Sequence, residues 1–407
     1  MPRLVARTAV PLLSLAFLLL AAACGQERAG DDAGAEPRPS EPARLRVAQF
    51  NIWELSQEKV DDVDARGRGV HEQLVAAAEV LKEVRPDVIL INEIDIRQDG
   101  AGPLEGTWTD FQERYLAAGE DALRYEHVVA PPVNTGVLSG EDLNNDGVVA
   151  TAADRGTRTH GDDSFGYGEY PGQYGMVLAS RHPLDTAAVR TFRKFLWRDM
   201  PGNRMPPGWY SAEAEAVFRL SSKTHVVVPL RVAGRTIQLV GAHPTPMGFD
   251  GAEDRNGRRN GDEVRMIVDL IDGADYLVDD EGVRGGLPAG ASFVVLGDLN
   301  ASPHGGEVDP THPIHDLLAH PRVHDTGDIC VSAGGLAGRE PGPPAHFERS
   351  TTGRATGWRI DYVLPSTDLE VAGGGVYFPD VETDPVGAER ADAASDHRLV
   401  WVDLVVD

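Results

Sequence analysis

Four short segments carry the residues of this chain that are best suited to chemistry. They contain Asn51, Glu93, residues 297–300 (Gly-Asp-Leu-Asn) and residues 395–397 (Ser-Asp-His). Each lies beside an apolar run typical of a buried β-strand, and α/β folds place their ligands at strand ends. Carboxylate and amide oxygens together with imidazole favour a hard divalent cation and attack by water on a phosphate ester.

Each residue taken alone also has a plain structural explanation. Asp298 can orient a water and Asn300 can donate to a phosphate oxygen, but both also suit a turn that satisfies its own backbone. Glu93 must be paired or bound to metal if it is buried, but it would need no partner at the surface. His243 follows a strand and can polarise a phosphoryl oxygen or protonate a leaving oxygen; otherwise it is a turn residue between prolines.

Taken in order, these segments resemble the endonuclease/exonuclease/phosphatase superfamily, and residues 359–364 (Arg-Ile-Asp-Tyr-Val-Leu) add a fifth match. The resemblance covers about residues 45–406 and implies an α/β fold, a four-layer sandwich in which helices flank two packed mixed β-sheets. It implies three metal ligands and five catalytic residues. The metal ligands are Asn51, Glu93 and Asp396, and the catalytic residues are His243, Asp298, Asn300, Asp361 and His397.

The resemblance further implies Mg²⁺ or Mn²⁺, with Ca²⁺ as an alternative, and hydrolysis by direct attack of water. In the family the aspartate of the fifth motif orients a catalytic side chain, which implies that Asp361 supports a histidine. Alternation along a strand leaves a second interpretation open, because it places Arg359 on the same face as Asp361, where the two would form an ion pair.

The substrate stays open because one fold serves many phosphate esters. DNA or RNA, a phospholipid head group and a soluble phosphomonoester all fit, and a catalytically silent surface binding module is the rival from another class. The net charge of −26 opposes broad contact with nucleic acid, although a local basic cleft would still bind phosphate. A lipid substrate would favour exposed aromatic loop tips, for which Trp197, Trp209 and Tyr210 are candidates; the alternative is that they anchor their loop.

The N-terminus is typical of an exported bacterial protein. Residues 1–23 combine two arginines with a short apolar stretch, as in a signal peptide. Cys24 then stands in a lipoprotein-like cleavage site, and residues 24–44 form a flexible tether to a domain spanning 45–407. We therefore expect a lipid anchor at Cys24 and a location in the cell envelope, with ordinary secretion after cleavage at Ala23 as the alternative. No protein partner is predicted.

Two further features lie outside the family pattern. Residues 131–172 carry no helix or strand signal and are predicted to be a loop insertion. Within it, Asp142, Asn144 and Asp146 match the first half of a calcium loop, although an acidic solvated turn fits as well. The second feature is a basic cluster that precedes a helix predicted to begin at Asp262, its cap. This cluster is predicted to contact substrate phosphate, unless it is merely a charged surface loop, and consists of Arg255, Arg258 and Arg259.

Hydrophobic periodicity predicts the elements that must position these residues. A helix is expected over 70–84 because Leu74, Ala78 and Leu81 recur at helical spacing before Pro86. Short apolar or alternating runs predict strands. These runs are 45–50, 88–91, 125–130, 175–179, 225–230, 236–242, 293–296, 360–364 and 399–406.

Overall fold

The computed structural model describes residues 43–407 except 99, 101, 306–307, 309, 337–344 and 354–355. The predicted signal peptide, Cys24 and residues 24–42 of the predicted tether lie outside the described residues. In the described part of the chain, no helix combines the length and apolarity needed to cross a membrane.

The described residues form eleven β-strands, which the sequence patterns located closely in most cases. The strands are β1 (Ala43–Leu55), β2 (Val88–Ile94), β3 (His127–Val129), β4 (Gly175–Ser180), β5 (Arg190–Thr191), β6 (Val226–Val232), β7 (Arg235–Gly241), β8 (Phe293–Asp298), β9 (Asp361–Pro365), β10 (Glu370–Val376) and β11 (Val400–Val406).

The α-helices of the described residues are mostly short. They are α1 (Gln57–Val60), α2 (Glu72–Val84), α3 (Gly106–Phe111), α4 (Arg158–Asp162), α5 (Ala212–Val217), α6 (Arg255–Ile271), α7 (Pro313–Leu318) and α8 (Pro385–Ala394). Single turns of 3₁₀ helix, and one π-helical segment over Gln112–Leu116, lie between them.

Two mixed sheets face each other and confirm the predicted four-layer sandwich. The six-stranded sheet has the order β10-β11-β1-β2-β4-β3, and the five-stranded sheet has the order β5-β6-β7-β8-β9. Apolar side chains from both sheets form a shared core, to which Leu90, Leu178, Val228 and Leu296 contribute. This burial in a continuous apolar layer is what drives the two sheets together.

Helices cover the outer face of each sheet. Leu74 and Leu81 of α2 and Ala391 of α8 pack on the six-stranded sheet, while Val264 of α6 and Ile314 of α7 pack on the five-stranded sheet. The central strands are buried on both faces, which explains why 88–91 reads as a continuous apolar run and not as an alternating one.

The structure corrects two of the predicted local features. Helix α6 begins at Arg255 and not at Asp262, which lies buried within the helix and accepts hydrogen bonds from the Trp197 indole and the backbone N–H of Arg204. The inserted segment 131–172 contains the single-turn helix α4. Its five residues are too few to produce a readable periodicity.

Candidate active site

The two sheets bring the predicted site residues to one end of the sandwich. Strand β2 runs parallel to β1, and β8 runs parallel to β7, so the four carboxyl ends lie at the same edge. Strands β9 and β11 run antiparallel to their neighbours and begin there. This topology explains why segments far apart in sequence meet in one site.

Asn51 joins the two sheets at this edge. Its side-chain amide donates to Glu93 Oε1 and to Asp298 Oδ2, each at 3.0 Å. Its own oxygen accepts the backbone N–H of Trp53. Asn51 therefore holds two carboxylates together across the sheet interface, and its oxygen faces the backbone and not the carboxylates.

Several residues around the site adopt left-handed backbone conformations that side chains rarely occupy. Glu93 has φ 62°, Asn300 has φ 52° and Trp53 has φ 44°. Such conformations cost of order 1–3 kcal/mol each and persist where the surrounding structure holds them. Their concentration beside the carboxylates is typical of a functional site.

His243 lies within reach of both carboxylates. Its Nε2 is 3.5 Å from Asp298 Oδ2 and 4.0 Å from Glu93 Oε1. Burial lowers the pKa of His243 well below its ordinary value, and the cations Lys223 and His397 lower it further. A neutral imidazole is therefore expected here. Burial has the opposite effect on Asp298, whose pKa rises to about 7.

Asp361 and His397 form a hydrogen-bonded pair, which confirms the expectation that Asp361 supports a histidine. Asp361 Oδ2 lies 2.9 Å from His397 Nδ1, and Nε2 of the same ring is 3.8 Å from Asp298 Oδ2. Burial alone would lower the pKa of His397, but the carboxylates of Asp361 and Asp298 outweigh it and raise that pKa well above its ordinary value.

The alternative ion pair with Arg359 does not form. Arg359 Nη1 instead lies 2.7 Å from Asp325 Oδ1. Because the carboxylate of Asp361 is directed to His397, the imidazole is fixed in orientation with its other nitrogen toward the site.

The remaining residues of the two polar motifs shape the same site. Asn300 donates its backbone N–H to Asp298 Oδ1 and its side-chain amide to the Pro244 carbonyl. Ser395 donates to the Asn51 carbonyl and accepts the His397 N–H. Asp396 lies at the mouth with its side chain 62% exposed, so its carboxylate remains open to solvent.

The donor set fits a hard divalent cation. Glu93, His243 and Asp298 each offer one ligand atom within 4.8 Å of the others. Carboxylate oxygens suit Mg²⁺ or Mn²⁺, and a neutral imidazole can also ligate Mn²⁺. Asp396 belongs to neither acidic cluster of the described residues, so its predicted role as a ligand stays a prediction.

Lys223 is a site residue that the sequence reasoning missed. It is 6% exposed, and its side chain lines the pocket that also contains Glu93 and His243. Among the described residues no hydrogen-bond partner accepts from its ammonium. Burial lowers the pKa of Lys223, while Glu263, Glu93 and Asp298 oppose that shift.

Glu263 of α6 positions the lysine and histidine segments relative to each other. One oxygen of its buried carboxylate accepts the Ser222 N–H and the other accepts the Thr245 N–H, each at 2.6 Å. One signal in the sequence could have pointed to Lys223. It lies in the polar run 221–225 (Ser-Ser-Lys-Thr-His), which precedes a strand and is buried throughout.

The three arginines of the basic cluster lie in different surroundings, and their contact with substrate phosphate stays a prediction. Arg259 is buried and donates to the backbone carbonyls of Leu220 and Arg219, so it holds loops together. Arg258 donates to the Glu253 carbonyl and is half-exposed outside the pocket. Arg255 and Arg259 both line the pocket, and the charge of Arg255 is partly balanced by Glu253 at 3.3 Å.

The acidic loop in the insertion satisfies its own backbone. Asp142 accepts the N–H groups of Asp146 and Gly147, and Asn144 also accepts that of Asp146. Buried Asp163 closes the loop by accepting from two further backbone groups. These contacts explain the turn without a cation, and calcium binding stays a prediction.

A cavity of about 890 Å³ opens over these residues. Glu93, Lys223, His243 and His397 all line it. A volume of this size suits an organic ligand and exceeds what a phosphate group alone would fill.

The sandwich and its carboxylate–imidazole cluster define a phosphoesterase-type protein. The sequence profile of the endonuclease/exonuclease/phosphatase family matches residues 48–397. The chain therefore belongs to this family, whose members are phosphoester hydrolases, some of them metal-dependent.

Solved structures share the fold at low sequence identity. An endonuclease/exonuclease/phosphatase from Beutenbergia cavernae is 21% identical, with 89% of this chain and 72% of that chain covered and a TM-score of 0.50. A mannosyl-6-phosphatase from Bacteroides thetaiotaomicron is 12% identical (89% and 99% covered, TM-score 0.45). Sphingomyelinase C from Streptomyces griseocarneus is 15% identical (89% and 99%, TM-score 0.41). A search of curated proteins finds no significant match.

Proposed function

We propose that this chain is an exported, divalent-metal-dependent phosphoesterase that hydrolyses a phosphate ester by direct attack of water. The observation that supports this most is the joining of Glu93 and Asp298 by Asn51, with His243 and His397 on either side. A set of this composition in a cavity suits a divalent cation and the phosphoryl group of a substrate.

Asp298 is the residue best placed to orient or deprotonate the attacking water. It is buried, and Asn51 and the Asn300 N–H each hold one of its oxygens. Its raised pKa of about 7 makes it a stronger base than an exposed aspartate.

Three side chains stabilise charge on the phosphoryl oxygens. Protonated His397 donates from Nε2, because Asp361 holds Nδ1. Lys223 supplies a buried ammonium from the other wall of the cavity. His243 presents Nε2 to the same region and, being neutral, can donate or accept according to its tautomer. Charge placed in a buried site of this kind acts more strongly than it would in water.

Glu93 would hold the cation, which leaves Asp298 for the attacking water and His243 Nε2 for the phosphoryl oxygens. A bound Mg²⁺ or Mn²⁺ would supply Lewis-acid stabilisation of the charge that develops during the reaction. Asp396 is open to solvent at the mouth and would complete the ligand set from outside.

The decisive experiment is hydrolysis by purified residues 25–407. The panel includes a generic monoester, a generic diester, plasmid DNA, RNA, sphingomyelin and inositol phosphates, each with Mg²⁺, Mn²⁺, Ca²⁺ or chelator. We expect metal-dependent cleavage that Asp298→Asn abolishes and that the surface variant Asp272→Asn retains. Cleavage that survives in Asp298→Asn would refute the assignment, and no cleavage of any ester would favour a binding module.

Export and a lipid anchor at Cys24 are a separate part of the proposal, supported by the sequence of residues 1–24. We expect the full chain, expressed in a bacterial host, to sediment with membranes and Cys24→Ala to be released. Equal membrane association of both would contradict the anchor.

A further inference from the structure

The exposed aromatic side chains of this protein are not scattered over its surface. Four aromatic residues stand among the large hydrophobic side chains that are exposed in the described part of the chain, and all four line the catalytic cavity. They are Trp53 (53% exposed), Tyr167 (44%), Phe249 (85%) and Trp358 (39%). We call these four residues the aromatic collar.

The collar is assembled from four separate segments. Trp53 belongs to the end of β1 and Tyr167 to the inserted segment, while Phe249 follows β7 and Trp358 precedes β9. Apolar side chains exposed singly need no explanation. Four rings from four segments that meet around one opening require a common cause.

Two of the rings are held in place by their surroundings. The Lys59 ammonium lies 5.7 Å from the centroid of the Trp53 ring. Tyr167 packs on Gly161 so closely that a Cβ at this glycine would lie 2.7 Å from the ring. These two rings are therefore packed against neighbouring residues and are not free loop tips.

We propose that the aromatic collar binds the alcohol part of the substrate, and that this part carries a ring, aromatic or sugar, with a face that stacks on an aromatic side chain. This inference rests on the proposed function, because the exposed collar lines the same cavity as the buried His243 and Lys223. A phosphoryl group at these two residues leaves most of the 890 Å³ for the rest of the ester. Aromatic faces bind ring faces by stacking.

A membrane surface fits the collar less well than a small molecule does. The same cavity is lined by ionisable residues, among them Glu54, Arg158, Asp162 and Asp396. Insertion of the collar into lipid would desolvate these charges at high cost. Carboxylates beside rings can instead accept hydrogen bonds from hydroxyl groups of a small ligand. A net charge of −26 also disfavours a polyanion.

The test compares esters that differ only in the group facing the collar. Ethyl phosphate, benzyl phosphate and a hexose 6-phosphate are all esters of primary alcohols, so their chemistry at phosphorus is similar. Each ester is assayed both as the monoester and as its methyl diester. Three proteins are compared: the wild type, the double variant Phe249→Ala/Trp358→Ala (the collar variant) and the control Val386→Ala. Val386 is 65% exposed on α8, outside the cavity.

We expect the wild type and Val386→Ala to prefer a ring-bearing ester over the ethyl ester in kcat/KM. The collar variant should lower that ratio about tenfold, the effect of losing one or two stacking contacts. Preference for benzyl or for hexose identifies which ring the collar accepts. An unchanged ratio would overturn the proposal.

Two further measurements separate the collar from the catalytic assignment. Benzyl phosphate binding is measured by calorimetry with Asp298→Asn protein, with and without the collar substitutions. Weaker binding on loss of the collar supports the subsite even if no ester is hydrolysed. The second measurement is co-sedimentation of the wild type and the collar variant with phosphatidylcholine vesicles. Vesicle binding that depends on the collar, with ester selectivity unaltered, would mean that the collar is a membrane contact.

Discussion

Replacing Asp361 with asparagine should impair catalysis while leaving the fold intact. The carboxylate is buried and lies 2.9 Å from His397 Nδ1. Asparagine has the same shape but no charge, so the charge-assisted hydrogen bond is lost and with it the main support of the imidazolium. The orientation of the ring also becomes ambiguous, because the amide can present either a donor or an acceptor.

The size of the effect follows from that hydrogen bond. A bond to a charged group contributes about 1.5 to 3 kcal/mol, and every 1.36 kcal/mol is a factor of ten in rate. We therefore expect kcat/KM to fall about 10- to 150-fold. The substitution also removes the cost of burying a charged carboxylate, which offsets part of the stability lost with the hydrogen bond. Tm should therefore move by no more than about 4 °C.

The assay is hydrolysis of the preferred ester at saturating metal, with thermal unfolding of the same samples. Asp325→Asn is the matched control, because it removes a carboxylate that pairs with Arg359 and does not touch His397. It should retain kcat/KM within about twofold, within the usual effect of a change outside the site. Equal activity of Asp361→Asn and wild type would refute the proposed role of the Asp361–His397 pair.

Three more predictions concern buried groups. Lys223→Gln should lower kcat/KM by about 10- to 100-fold, because a charged contact to the phosphoryl group is lost. Lys223→Arg should recover part of the activity, and unchanged kinetics of Lys223→Gln would exclude that contact. Arg259→Met should lower the free energy of unfolding in urea by about 3–5 kcal/mol because several carbonyls lose their donor; a variant with raised KM and full stability would instead indicate a substrate contact. Burial lowers the pKa of His225 below its ordinary 6.5, so the unfolded chain takes up the proton first and stability falls as pH drops below about 6.5. His225→Gln should flatten that fall in urea titrations between pH 7 and pH 5, and an unaltered slope would contradict the assignment.

The sequence located most of the candidate site residues because each lies near the end of a strand with a strong apolar signal. Asp298 and Glu93 follow short runs that a buried strand explains, and their order along the chain resembles the family. The family resemblance implied that Asp361 supports a histidine without saying which one, and the sequence could not choose between such a pair and an ion pair with Arg359. Alternation along a strand predicts which face of the sheet a side chain such as that of Asp361 occupies, but it does not predict which residue that side chain contacts.

Reasoning from the sequence was weakest for the aromatic residues. Trp197 and Tyr210 were candidates for exposed loop tips, but both are buried, and Trp197 donates its indole N–H to Asp262. The exposed rings are instead those of the aromatic collar. The exposure of an aromatic side chain depends on what packs against it, and the composition of the surrounding loop does not predict that packing.

The sequence alone indicated the fold class through the family resemblance of its motifs in order, and it indicated most strands through hydrophobic periodicity, because both are properties of the sequence. The tertiary structure alone decided that Asn51 holds Glu93 to Asp298, that Arg259 supports loops, and that Lys223 faces the cavity. These facts depend on contacts between segments more than 35 residues apart. Such contacts are set by how two sheets pack, and no single segment carries that information.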